Sequence, residues 1–226
     1  AVLAGAGVAT AALAIGWFVL DRFFTVPPVA GQARAVSGEV LKLADKEYRL
    51  AGIAAPDPEQ KCGEGSRRWS CASDATRSLA TLVRGKSIIC HPRAASPSAR
   101  PTARCYDGNT DIAAELVRIG AVWADENDSL GYRSLESKAK EAKLGIWRAA
   151  SDPPWAWREK IWAAAKSKAP DGCPIKGTMS GGEKLYHMPW SPDYDRIRVS
   201  SNSKSRRWFC TEAEALSAGY RAPQGS

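Results

Sequence analysis

The chain opens on AVLAGAGVATAALAIGWFVL, a run without a single charge that ends at Asp21 and Arg22. About 20 apolar residues in a helix match the thickness of a bilayer core, whereas the apolar part of a signal peptide is about 7 to 15 long. The pattern predicts a transmembrane anchor over residues 1–24. Within it Gly5, Ala9, Ala12 and Gly16 share one smooth face that another helix could approach closely. Residues 25–33, TVPPVAGQA, carry two consecutive prolines and read as a tether.

From residue 34 the apolar positions alternate. Leu41 and Leu43 flank Lys42, Tyr48 and Leu50 flank Arg49, and the runs break at Ser37-Gly38 and Asp45-Lys46, which predicts a three-strand meander. SDATRSLATLV at 73–83 switches to a helical period, with Ala75, Leu79, Leu82 and Val83 on one face and Gly85 as a stop. SIICHPR at 87–93 and TARCYDG at 102–108 read as two further strands around a loop rich in proline and serine. Five strands with a helix after the third predict a small, partly open β-barrel of the oligonucleotide-binding (OB) type. DIAAELVRIG and GYRSLESKAKEAKLG, each with helical periodicity and a terminal glycine, should pack outside it, completing a domain over 34–150.

Residues 151–172 change character: a double proline, then Trp155, Trp157 and Trp162 on a short amphipathic helix that doubles as a linker and offers tryptophans to a partner. Residues 173–226 combine hairpin segments with a helix that starts at a capping box, Thr211 to Glu214, and ends near Gly219. This is a small α+β module.

Charge adds one constraint. Lys and Arg number 32 against 24 Asp and Glu, for a net +8, which suits an anionic partner such as nucleic acid or a lipid surface. The six cysteines all lie after residue 60 and their even number suits pairing in an oxidising compartment.

Several stretches taken together resemble the thermonuclease family, the staphylococcal nuclease-like proteins. VSGEVLKL, YRLAGIAAP, LVRGKSIIC, ARPTARCYDGNTDIAAELVRIGAVWA and YRSLESKAKEAKLGIW follow one another in the family's order over residues 36–147. The resemblance implies the OB-type barrel and calcium-dependent phosphodiester hydrolysis. That chemistry needs carboxylates around a hard cation, arginine forks on the phosphate and a further carboxylate on the attacking water. Arg49 and Arg100 stand where the family's phosphate-binding pair stands. Glu39 falls at a metal position but one methylene longer than the family's aspartate, Ala54 falls where another metal-binding aspartate is expected, and Asp57 is a shortened stand-in for the water-activating glutamate. Ser96 to Arg100 replace a loop that normally carries a stacking tyrosine, and Glu59 and Glu64 are candidate substitute ligands.

The same resemblance implies disulfides Cys90–Cys105, on neighbouring strands, and Cys62–Cys71. CPIKG, KLYHMP, RRWFC and EAEALSAGYR resemble a small domain that follows thermonuclease domains in some bacterial proteins. There Cys173, His187 and Cys210 supply three zinc ligands at most, so a Cys173–Cys210 disulfide is the preferred reading.

Two functions compete. One is a membrane-anchored, thermonuclease-like protein without catalysis, a binding or structural module docked on a membrane protein complex. The other is an extracytoplasmic, calcium-dependent nuclease with a rearranged metal site. Both place the folded part on the periplasmic side of a bacterial inner membrane, neither calls for a small-molecule cofactor, and nucleic-acid binding without hydrolysis is a third outcome.

Overall fold

The computed structural model describes residues 26–93, 100–200, 203 and 205–223. The expected anchor over 1–24 lies outside them, and no described helix is long and apolar enough to cross a membrane.

Five strands form the barrel: β1 (Val29–Ala35), β2 (Val40–Leu43), β3 (Lys46–Leu50), β5 (Ser87–Pro92) and β6 (Thr102–Asp107). They run in the order β3-β2-β1-β5-β6, and β6 continues into β7 (Thr110–Asp111). The alternation around Lys42 and Arg49 is therefore a meander, with Leu41, Leu43, Tyr48 and Leu50 buried. The barrel closes where it was expected to stay partly open, because β3 and β6 pair in parallel at Arg49↔Thr102 and Leu50↔Ala103. Arg49 N–H donates to Pro101 O and Ala51 N–H to Ala103 O, both at 2.9 Å, so these edge groups find protein partners rather than water.

The first strand begins earlier than its sequence suggests. Val29 pairs with Cys90 and Gly31 with Ile88, so the second half of the expected tether belongs to the sheet. Its small residues give almost no apolar alternation. Only the partner strand β5, distant in sequence, reveals it.

Helix α1 (Cys71–Val83) lies across the barrel with Cys71, Ala75, Leu79 and Val83 buried, a repeat of four that forms one stripe. Its approach requires Gly38: a Cβ there would come within 2.6 Å of Ala75 Cβ and 2.9 Å of Ala55 Cβ. Helix α2 (Ile112–Arg118) is capped by Asp111, which accepts from the N–H groups of Ala113 and Ala114 and from the Tyr132 hydroxyl. Burial and the Asp111 carboxylate together hold the Tyr132 hydroxyl protonated by raising its pKa. Helix α3 (Arg133–Glu141) packs on α2, and short strands β4 (Ile53–Ala54) and β8 (Trp123–Ala124) pair beside them. Disulfides Cys90–Cys105 and Cys62–Cys71 are both formed.

The short helix expected within 151–172 forms as α4 (Pro154–Lys166), with Pro153 as its N-cap residue and Pro154 as its first helical residue, and it packs on both of its neighbours. Its tryptophans are not all available to a partner. Trp155 packs on a cluster with Cys62, Cys71, Trp123 and Ile146, while Trp162 packs on the core of the C-terminal module. One helix is thus tied to two cores.

The C-terminal module has a sheet in the order β10-β9-β11, from β9 (Ile175–Ser180), β10 (Glu183–His187) and β11 (Arg206–Phe209), with helix α5 (Glu212–Ser217) behind it. The capping box is present: Thr211 Oγ1 accepts from Glu214 N–H, and the Glu214 carboxylate accepts from Cys210 N–H. Gly177 permits the close approach of Phe209 and Tyr220, since a Cβ there would lie 2.5 Å and 2.9 Å from their rings. Cys173 and Cys210 are joined, and His187 Nε2 lies 3.1 Å from Thr178 Oγ1 in a polar pair on the sheet.

Burial pushes the His187 imidazole below its ordinary value, Lys176 adds to that shift and Asp193 opposes it. The unfolded chain then binds this proton more tightly than the folded one. Stability from this group is complete above about pH 6.5, the ordinary histidine value, and is lost as the pH falls below it. We predict that the melting temperature drops between about pH 7.5 and pH 5, and that His187→Gln flattens this part of the profile; an unchanged slope in that variant would remove His187 as the cause.

Candidate active site

Four residues singled out from the sequence, Glu39, Arg49, Asp57 and Arg100, line a single cleft of about 490 Å³. The barrel positions them. Glu39 lies in the bend immediately before β2 and Arg49 lies on β3, where Val40 pairs with Arg49, and Arg100 leads into β6 beside β3. Asp57 follows β4, and the N-terminal half of α1 supplies the opposite wall through Ser73, Thr76 and Arg77.

Each carboxylate already has partners. Glu39 Oε1 is 3.2 Å from Arg49 Nε and its Oε2 accepts from Ala55 N–H at 2.9 Å. Asp57 is buried, with 7% of its side chain exposed, and both its oxygens accept from Arg158 of α4: Nε to Oδ2 and Nη2 to Oδ1, each at 2.8 Å. Its backbone N–H donates to Gln60 Oε1, and the Gln60 amide in turn donates to Asp152 O at 2.7 Å. Two parallel charge-assisted bonds from one guanidinium fix the carboxylate in both position and plane.

The arginines differ in freedom. Arg100 pairs with Glu47 at 3.0 Å, while half of the Arg49 side chain remains exposed to the cleft. With Arg77 and Arg158, four guanidinium groups face two carboxylates there. Such a cleft can hold an oxyanion. It offers a hard cation, which takes about six to eight oxygens, little besides carboxylate oxygens that are already engaged. Ala54 carries no oxygen in its side chain, and no group of three His, Cys, Asp or Glu among the described residues is placed to hold a metal. The substitute ligands do not arrive: Glu59 lines a separate groove and Glu64 a surface hollow beside Arg67 and Arg148.

Comparison with known proteins agrees with this architecture. The family model described as staphylococcal nuclease homologue matches residues 47–149. Residues 47–149 are a staphylococcal nuclease-like domain. The match starts within β3, so β1, β2 and Glu39 precede it although the barrel needs both strands. A second family model, ArfC, matches residues 157–222, which takes in most of α4 together with the C-terminal module. Among curated relatives, the succinoglycan biosynthesis protein ExoI of Rhizobium meliloti is 28% identical over 127 residues, or 54% of this chain and 66% of that protein. The Probable endonuclease LCL3 of Clavispora lusitaniae is 30% identical over 44% of this chain and 46% of its own length. Its counterpart in Meyerozyma guilliermondii is 29% identical over 44% and 47%. The chain thus spans under two thirds of the length of these relatives.

Arg158 is the site residue that sequence reasoning missed. It lies in WAWREK, within a segment that reads as an amphipathic linker, and 101 positions separate it from Asp57. No local pattern connects the two. The only available signal was an uncompensated carboxylate in a loop bounded by prolines.

Because Asp57 is buried, removing its partner leaves a charge without compensation. We predict that Arg158→Ala lowers stability by about 1–3 kcal/mol, discounted because Arg158 is itself partly exposed. Asp57→Asn should cost a similar amount, and the double variant should lose clearly less than the sum. Urea unfolding of the four proteins measures this; strict additivity would show that the pair is not coupled.

Proposed function

We propose that the chain is a membrane-anchored protein whose staphylococcal nuclease-like barrel does not hydrolyse phosphodiesters and serves as a binding or structural module, an accessory subunit of a membrane protein complex. The observation that carries this reading is the Asp57–Arg158 fork. The carboxylate that stands at the water-activating position has both oxygens committed to a guanidinium. A carboxylate whose two oxygens are both held by one guanidinium is poorly placed to orient and activate an attacking water. Ala54 and the engaged Glu39 support the companion proposal that the cleft lacks a calcium site. Three disulfides suit a folded part on the oxidising side of the membrane, with residues 1–24 as the anchor.

The competing reading, a calcium-dependent nuclease, draws on the names of the two relatives called probable endonucleases and on the grouping of Glu39, Arg49, Asp57 and Arg100 in one cleft. The two separate cleanly. The full chain in mild detergent, given single-stranded DNA and millimolar calcium, should leave the DNA intact, and calorimetry should detect no calcium binding. Calcium-dependent cleavage that disappears in Arg49→Ala would overturn the proposal in favour of the nuclease.

A further inference from the structure

Between α4 and the C-terminal module lies a groove of about 600 Å³ that is separate from the barrel cleft. Its walls are aromatic: Trp157 from α4 faces Trp190, Tyr194 and Trp208 from the module, with Pro189 and Pro192 beside them. The three tryptophans are half-buried, so their rings pack on protein while one part of each stays accessible. Among the described residues, none accepts a hydrogen bond from their indole N–H groups.

The groove is preformed rather than collapsed. Lys176, 7% exposed, donates to Tyr194 O at 2.8 Å and Ile197 O at 2.9 Å, fixing the loop that carries Tyr194. Its ammonium lies 3.9 Å from the centre of the Tyr194 ring and 5.5 Å from that of Trp208. Trp190 is held from the other side by Trp162, at 6.3 Å between centroids, and by the Arg158 guanidinium at 5.8 Å. A site whose rings are already fixed loses little entropy when it is filled.

Charge decides between ligand classes. Lys168, Lys176 and Arg198 face Glu59 and Asp195, so the groove carries one cation in excess. Single-stranded nucleic acid brings one negative charge per nucleotide, and the grooves that bind it are strongly positive. A nearly neutral groove with aromatic slots and indole N–H donors that no described residue engages instead complements a chain that is rich in acceptors, poor in donors and nearly uncharged. An extended proline-containing peptide has that chemistry: pyrrolidine rings that pack between aromatic rings, and carbonyls left unbonded by the polyproline II conformation. Neither Lys168 nor Arg198 forms an ion pair with a described residue, which leaves room for a single acidic side chain.

We infer that this groove is the docking site for an extended, proline-containing segment of a partner protein that carries one carboxylate; the inference rests on the accessory-subunit reading above and names its partner's chemistry. The test uses the full chain in mild detergent and a short fluorescein-labelled peptide with a polyproline core and one glutamate, followed by fluorescence polarisation. A glycine-serine peptide of the same length and charge, and an oligothymidylate, are the comparison probes. The proline peptide should bind saturably with weak dependence on salt, and both Trp157→Ala and Trp208→Ala should weaken it by about tenfold or more. Far-UV circular dichroism establishes that the variants fold, and Arg198→Glu, on the exposed rim, provides a variant that leaves the rings in place and should also weaken binding. Absence of saturable binding up to millimolar protein, equal binding of the glycine-serine peptide, or binding unchanged in all three variants would overturn the inference. So would oligothymidylate binding that falls steeply with salt and is lost in the tryptophan variants. The DNA-cleavage assay reads the barrel cleft alone, so loss of the non-catalytic reading and loss of this groove are separate results.

Discussion

The arrangement of this protein depends on a carboxylate that is buried far from its charge partner in sequence. Asp57 sits in the loop after β4 with almost no access to water, and a lone carboxylate in that position would carry a desolvation penalty of several kcal/mol. Arg158 meets it with two bonds in one plane, while Gln60 bridges the same loop to the chain just before α4. The helix is therefore set in both position and rotation. With Arg158 facing the loop, Trp155 turns into the cluster around the Cys62–Cys71 disulfide and Trp162 reaches the module's core. The relation between barrel and C-terminal module follows from that orientation.

The same contact separates fold from chemistry. The cleft survives because packing builds it: Gly38 lets α1 descend on the turn before Glu39, and the β3–β6 pairing brings the segments bearing Arg49 and Arg100 together. None of those interactions requires a metal. Within the cleft the acidic oxygens satisfy Arg49, the Ala55 N–H and Arg158. A barrel of this kind keeps its shape when its site changes, and function is to be argued from the site. The aromatic groove shows the same helix from its other side, where α4 helps to form a surface that the barrel alone does not possess.

Parts of this were legible along the chain. The α1 stripe of Ala75, Leu79 and Val83, the alternation around Lys42 and Arg49 and the Thr211–Glu214 box are local patterns, and each survives in the structure because near neighbours produce it. The gathering of Glu39, Arg49, Asp57 and Arg100 followed from the family's order of segments rather than from any spacing. Elsewhere the reading stopped at residue types. Val29 to Ala33 look like a tether because glycine and alanine leave no apolar rhythm, and only pairing with β5 makes them a strand.

What the sequence by itself determined is most of the barrel's strands and helices, their order and the lack of a side-chain oxygen at Ala54, because these depend on residues close together or on a single side chain. What only the tertiary structure decided is where the remaining charges are satisfied. The pairing of Asp57 with Arg158, the closure of the barrel and the enclosure of an aromatic groove by α4 all join segments that no period or motif relates. Their physical cause is the cost of leaving a buried charge or backbone group without a partner, and that cost is settled only when the whole chain has folded.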